Sequence, residues 1–200
     1  MNRKLIMIAS AVLMAVAGIY SSLSISSEKT NPAQQYPEMT EDDLLLKTVF
    51  EKYAKLSERD LSLVPEPERT LIALYSAHGI IGNGGFYYFF ENDFSGTTGY
   101  AIIMQSYQNI GLTEHAKTIE NIMRLFPEGK PSENLEQRRI FLDQYFNAEK
   151  PAFLKQVDEA EALFFKNYQE AFKKAIQYYK LKKSKLEARS WKLEAKNYKS

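Results

Sequence analysis

Gly79-Ile80-Ile81-Gly82-Asn83-Gly84-Gly85-Phe86-Tyr87-Tyr88-Phe89-Phe90-Glu91-Asn92 is the stretch around which the chain is organised. Four of the nine glycines and five consecutive aromatics fall within it, so sharp backbone turning meets dense apolar area. Upstream, Leu71, Ile72, Leu74, Tyr75 and His78 recur at helical spacing, which predicts a helix over Arg69–Ile81. Gly82 is placed to end that helix, because glycine takes positive φ without penalty. Asn83 is placed to cap the next one on the amide of Gly85 or Phe86. The second helix then turns Phe86, Phe89 and Phe90 toward a core. Tyr87, Tyr88 and Glu91 fall on its flank, where a tyrosine buries its ring and keeps its hydroxyl wet.

The rest of the chain reads as helices. Thr40-Glu41-Asp42-Asp43 starts one, with a capping threonine and acids at the positive end of the helix dipole. Leu45, Val49, Phe50, Tyr53 and Leu56 form its apolar stripe to about Ser57. Pro65 and Pro67 separate it from the helix leading into the central stretch. Further helices are expected over Tyr100–Asn109, Thr113–Phe126 and Ser132–Asn147, with Thr113 and Ser132 as caps. Pro151 fits the first turn of one long final helix, whose face is Val157, Ala160, Phe164, Tyr168, Ala171, Phe172, Ala175 and Tyr179. No alternating run argues for a sheet. The expected fold is all-α, a compact multi-helix domain over residues 40–172 ending in a long C-terminal helix.

Two hundred residues suit one domain with appendages, and a hydrophobic fraction of 44% belongs to a globular chain. Arg3 and Lys4 precede an uncharged run from Leu5 to Tyr20, and Ala15-Val16-Ala17 supplies small residues for a cleavage site. Extended to Ile25, the uncharged run reaches the length of a bilayer span. Residues 1–25 therefore read as a cleaved signal or a membrane anchor, and residues 26–39 as a linker. On either reading the bulk lies outside the cytoplasm, in the periplasm or cell envelope. There is no cysteine, which removes disulfides, thiolate metal sites and cysteine nucleophiles.

Charge is uneven. Glu28 to Phe172 holds 23 acidic and 14 basic residues, a net of −9. Lys173 to Ser200 holds ten basic and two acidic residues, a net of +8. An acidic body thus carries a basic helical tail over 173–200. Lys180 to Ser200, with aromatics among its cations, suits an anionic lipid or polymer surface; outside the cytoplasm, nucleic acid is not the expected target. A charge run also marks a solvated helix end, or a tail folded onto the acidic body.

Catalytic signals are sparse. His78 and His115 are the two histidines, and no serine sits in a nucleophile turn. His78 reads as a packed helical side chain, and His115, in a first helical turn, as exposed. A hydrolase would have to place its site near His78 and Asn83. Metal-ligand spacings are missing, and no metal or cofactor is expected. Gly82 to Gly85 lacks the Lys-Ser/Thr and the preceding strand of a phosphate loop, so a tight inter-helix turn is the better reading.

Asn83-Gly84-Gly85-Phe86, followed by Phe89-Phe90 and Asn92, resembles the signature of the DNA-mimic-protein family, small helical bacterial proteins also catalogued as a domain of unknown function. Pro65, Pro67, Glu68 and Arg69 before it, Ile110-Gly111 after it and Leu142-Asp143-Gln144-Tyr145-Phe146 downstream extend the likeness over roughly residues 40–153. Tyr88 departs from it, standing where such proteins often carry glutamine. The resemblance implies an all-helical binding protein, the founding activity being an acidic surface that imitates DNA toward a DNA-binding partner. The expectation is a non-enzymatic protein-binding module with an unidentified protein partner. Tyr87, Tyr88 and Glu91 are its candidate binding residues. Asn83, Gly84, Gly85, Phe86, Phe89, Phe90 and Asn92 form its structural motif.

Overall fold

Thr40 and Asp43 start the first helix by capping each other. The Asp43 amide donates to Thr40 Oγ1 at 3.1 Å, and the Thr40 amide donates to Asp43 Oδ2 at 2.9 Å. The computed structural model describes residues 39–91, 97–146, 151–166 and 168–197. Within them the chain is all-α, and no strand occurs. The seven helices are α1 (Glu41–Arg59), α2 (Glu68–Glu91), α3 (Thr97–Asn109), α4 (Thr113–Met123), α5 (Leu135–Phe146), α6 (Pro151–Lys166) and α7 (Tyr168–Asn197). Residues 1–38, which include the expected signal or anchor and most of the linker, lie outside the described residues. So does Asn92 of the central stretch.

Two units divide the chain between Lys52 and Tyr53, inside α1. In the first, Leu46 and Val49 are the buried apolar residues of α1, and Leu45 and Phe50 are half-buried. Val49 thus lies in the expected stripe, which Leu46 joins. In the second unit, from Tyr53 on, α2 is the central element and contacts α3, α5, α6 and α7. A helix surrounded on several sides has no polar face to offer. Leu71, Ile72, Ala73, Leu74, Ala77, Ile81, Phe86, Phe89 and Phe90 are accordingly all buried.

Several boundaries differ from expectation, each for a local reason. Thr113 is the first residue of α4, and its preceding residue, Leu112, supplies no side-chain cap. Asn134 rather than Ser132 caps α5, accepting from the Glu136 and Gln137 amides at 2.9 and 3.1 Å. The long final helix is two helices, α6 and α7. Its predicted face is nonetheless buried in both, with Val157, Ala160 and Phe164 on α6 and Ala171, Phe172 and Ala175 on α7.

Candidate functional site

The central stretch bends where its glycines are most crowded. Gly82 and Asn83 stay in the helix; the break falls at Gly84 and Gly85. Gly85 has φ 64° and ψ −162°, a region essentially confined to glycine. A carboxylate takes up the amide that the kink exposes: Phe86 N–H donates to Glu161 Oε1 on α6 at 2.8 Å. Glu161, 75 residues along the chain, does what was expected of Asn83, which stands exposed. A Cβ on Gly85 would overlap the Glu161 carboxylate, and one on Gly82 would overlap the ring of Tyr168. The glycines of the signature thus let α6 and α7 close onto α2.

Beyond the kink, Phe86, Phe89 and Phe90 are fully buried as expected. Phe86 meets Phe164 edge-on at 5.3 Å between centroids, and Phe90 lies 4.9 Å from Phe126. Arg138 on α5 closes the end of α2. Its Nε donates to the Phe90 carbonyl at 2.6 Å and its Nη1 to the Ser132 carbonyl at 2.5 Å. This buried arginine was not among the expected functional residues. The available signal was its register: it shares a helix face with the buried Phe141 and Leu142.

The predicted flank faces α5. Tyr87 donates its hydroxyl to Asp143 Oδ1 at 2.6 Å and sets its ring edge-on to Phe146 at 5.3 Å. The hydrogen bond to Asp143, which the phenolate would lose, pushes the tyrosine pKa up to about 12. Glu91 pairs with Arg139 at 3.3 Å. Tyr88 projects outward at 51% exposure, and Ile140, next to Arg139, is also exposed. Two of the three candidate residues therefore tie α2 to α5, and the third, Tyr88, is half-exposed with its ring 6.0 Å from that of Tyr87.

His78 and His115 lie in the core. His78 Nε2 sits 2.9 Å from the Tyr168 carbonyl, which can only accept, so the proton is on Nε2. Nδ1 then accepts from the Tyr107 hydroxyl at 3.0 Å. Burial pushes the His78 pKa down to about 4, so the ring is neutral at pH 7. His115 is buried rather than exposed: with Ala116, Ile119 and Ile122 it belongs to the inward face of α4. It stacks on Tyr107 at 5.4 Å, and neither ring nitrogen has a hydrogen-bond partner. The structure does not bring His78 and Asn83 into a common site, since one is sealed in the core and the other exposed. Both His78 nitrogens are already engaged. A recess of about 280 Å³ between α3 and α4, lined by Met104, Gln105, Gln108 and Lys117 among others, holds none of the expected site residues.

The basic tail divides in two. Lys183 donates to Glu68 Oε1 at 2.7 Å; that carboxylate is buried at the start of α2. The contact raises the lysine pKa, chiefly through the hydrogen bond. From Ser184 to Trp191 every side chain is exposed. No helix among the described residues is long and apolar enough to cross a membrane.

A family model described as DMP19-like protein matches residues 62–184, more than half of the chain. The chain belongs to the DMP19-like family. That family is one of DNA mimics, as the Asn83–Phe90 signature implied. The DMP19-like match begins after α1 and runs to the middle of α7, further toward the C-terminus than the resemblance reached. No curated protein and no solved structure matches the chain.

Proposed function

We propose that this DMP19-like chain is a non-enzymatic protein-binding module, exported or held at the membrane by its N-terminal segment, that docks a partner on the seam between α2 and α5. Tyr88 carries the reading. It is a large side chain left half-exposed between two cross-helix links, Tyr87–Asp143 and Glu91–Arg139. A tyrosine on a braced surface loses little entropy on binding, which is what a hot spot needs. Exposed Ile140 adds apolar area on the α5 side.

Docking by shape is favoured over imitation of DNA by the charge of the matched segment. Residues 62–184 hold 15 acidic and 14 basic residues, whereas a phosphate mimic needs dense net negative charge. Several surface carboxylates are also paired: Glu114 with Lys117, Glu120 with Arg124 and Glu159 with Lys155. Tyr88→Ala with Ile140→Ala tests the seam. Cross-linking in cells followed by titration of the purified partner should show capture lost with melting unchanged. Undiminished partner affinity in the double variant would refute the seam. Intact mass after cell fractionation tests the location: a shortened soluble or full-length membrane-held chain outside the cytoplasm supports export, and a full-length cytoplasmic chain refutes it.

A further inference from the structure

The free end of α7 carries a charge pattern that the seam does not explain and that packing touches at Lys182, whose Nζ lies 5.4 Å from the centroid of the Tyr178 ring. Lys182, Lys185, Arg189, Lys192 and Lys196 are spaced three, four, three and four residues apart. At about 100° and 1.5 Å per residue, their backbone positions share an arc of about 80° and run along about 21 Å of helix. Leu181 and Ala188 border this arc on one side, and the positions of Leu186 and Leu193 on the other. The resulting half-cylinder contains cations, leucines and an alanine, with no acid and no serine. Glu187, Ser190 and Glu194 occupy the opposite side.

The body fixes which side faces out. Lys183, about 140° around the helix from the centre of the cationic arc, contacts buried Glu68, which sets the arc on the side away from the body at that turn. From Ser184 to Trp191 the opposite side is exposed as well. Leu181 and Leu186, on the outward half, are 54% and 47% exposed. The family match ends at residue 184, so most of the arc lies beyond it.

We infer that the outward half of α7 from Leu181 to Lys196 is an interfacial helix that lies on an anionic lipid surface, its cations at the headgroups and its flanking leucines at the acyl boundary. Charge complementarity selects an anionic partner. The leucines on both borders select a lipid layer over a linear polyanion, which would follow the cations and leave Leu181 and Leu186 in water. This surface is separate from the α2–α5 seam and stands or falls without it.

Full-length protein on vesicles of phosphatidylcholine alone, and with anionic phosphatidylglycerol added, tests the inference. Any contribution of residues 5–25 should appear on both, so the ratio of the two partition constants reports the charge-dependent part. Lys182→Gln, Lys185→Gln and Arg189→Gln together should lower binding to the anionic vesicles on the order of 100-fold at low salt, at about 1 kcal/mol per cation. Glu187→Gln with Glu194→Gln should not lower it. Orientation has its own readout, because Trp191 is the sole tryptophan and lies on the other half of the helix. Its emission should stay that of a solvated indole on binding, while Leu186→Trp in a Trp191→Phe chain should shift to the blue. Equal partition on both vesicle types would overturn the inference, as would an undiminished triple variant. So would a blue shift at Trp191 without one at position 186, or binding to heparin with no binding to anionic vesicles.

Discussion

The kink of α2 and the free end of α7 are built on opposite terms. At the kink, groups far apart in sequence satisfy one another: Glu161 caps Phe86, Arg138 closes Phe90, and the Tyr168 carbonyl accepts a hydrogen bond from His78 Nε2. At the end of α7 the charged side chains from Lys185 to Trp191 face solvent. Buried polar groups are costly unless partnered, whereas solvated charges gain little from pairing. Stability should therefore be concentrated in the first region and nearly absent from the second. Substitution can break that contrast.

The largest effect is expected at Gly85. Gly85→Ala places a Cβ against the Glu161 carboxylate and strains a backbone with φ 64°. The loss should be about 4 kcal/mol, summing backbone strain, displacement of Glu161 and the lost cap. Urea unfolding would measure it, and a cost below about 1 kcal/mol would mean that the kink relaxes freely.

Acid comes next. His78 is held neutral with its pKa depressed from 6.5 to about 4. Between those values the unfolded chain binds a proton that the folded chain refuses, so folding weakens as pH falls. The loss begins as pH drops below about 6.5 and is complete as it passes about 4, amounting to about 3 kcal/mol. Burial depresses His115 in the same direction. Unfolding free energies across this window should show a steeper slope for the native chain than for His78→Gln. Equal slopes would mean that His78 is not the titrating group.

Arg138→Met should cost about 2 kcal/mol by stranding the carbonyls of Phe90 and Ser132. Retained stability would require water to reach both carbonyls.

How much of this was legible follows from the distance over which each feature is decided. The helices, the buried Phe86–Phe89–Phe90 face and the Thr40 cap depend on neighbours within a few residues, and periodicity exposes such patterns. The site of the kink does not. Asn83 was a sound local cap, but Glu161 reaches the amide of Phe86 from another helix, and that partner moves the break to Gly84–Gly85. His115 misled for a related reason: its place in a first turn argued exposure, while its register with Ile119 and Ile122 decided burial. The flank was legible as a flank. That Tyr87 and Glu91 were engaged by Asp143 and Arg139, leaving Tyr88 outward, depended on how α5 docks.

The smallest effects test where α7 stops contributing to the fold. The sign of the charge changes at Lys173, yet packing continues through Ala175 and Ile176 to the Lys183–Glu68 contact. Lys183→Met should cost about 1 to 2 kcal/mol, since it leaves a buried carboxylate without its cation. Lys185→Ala and Arg189→Ala, two and six residues further on, should each change stability by less than about 0.5 kcal/mol. A step between positions 183 and 185 would place the packing boundary there. A gradual decline instead would mean that the helix end supports the body through its dipole and length, and the cationic arc would then have a structural role as well as an exposed surface.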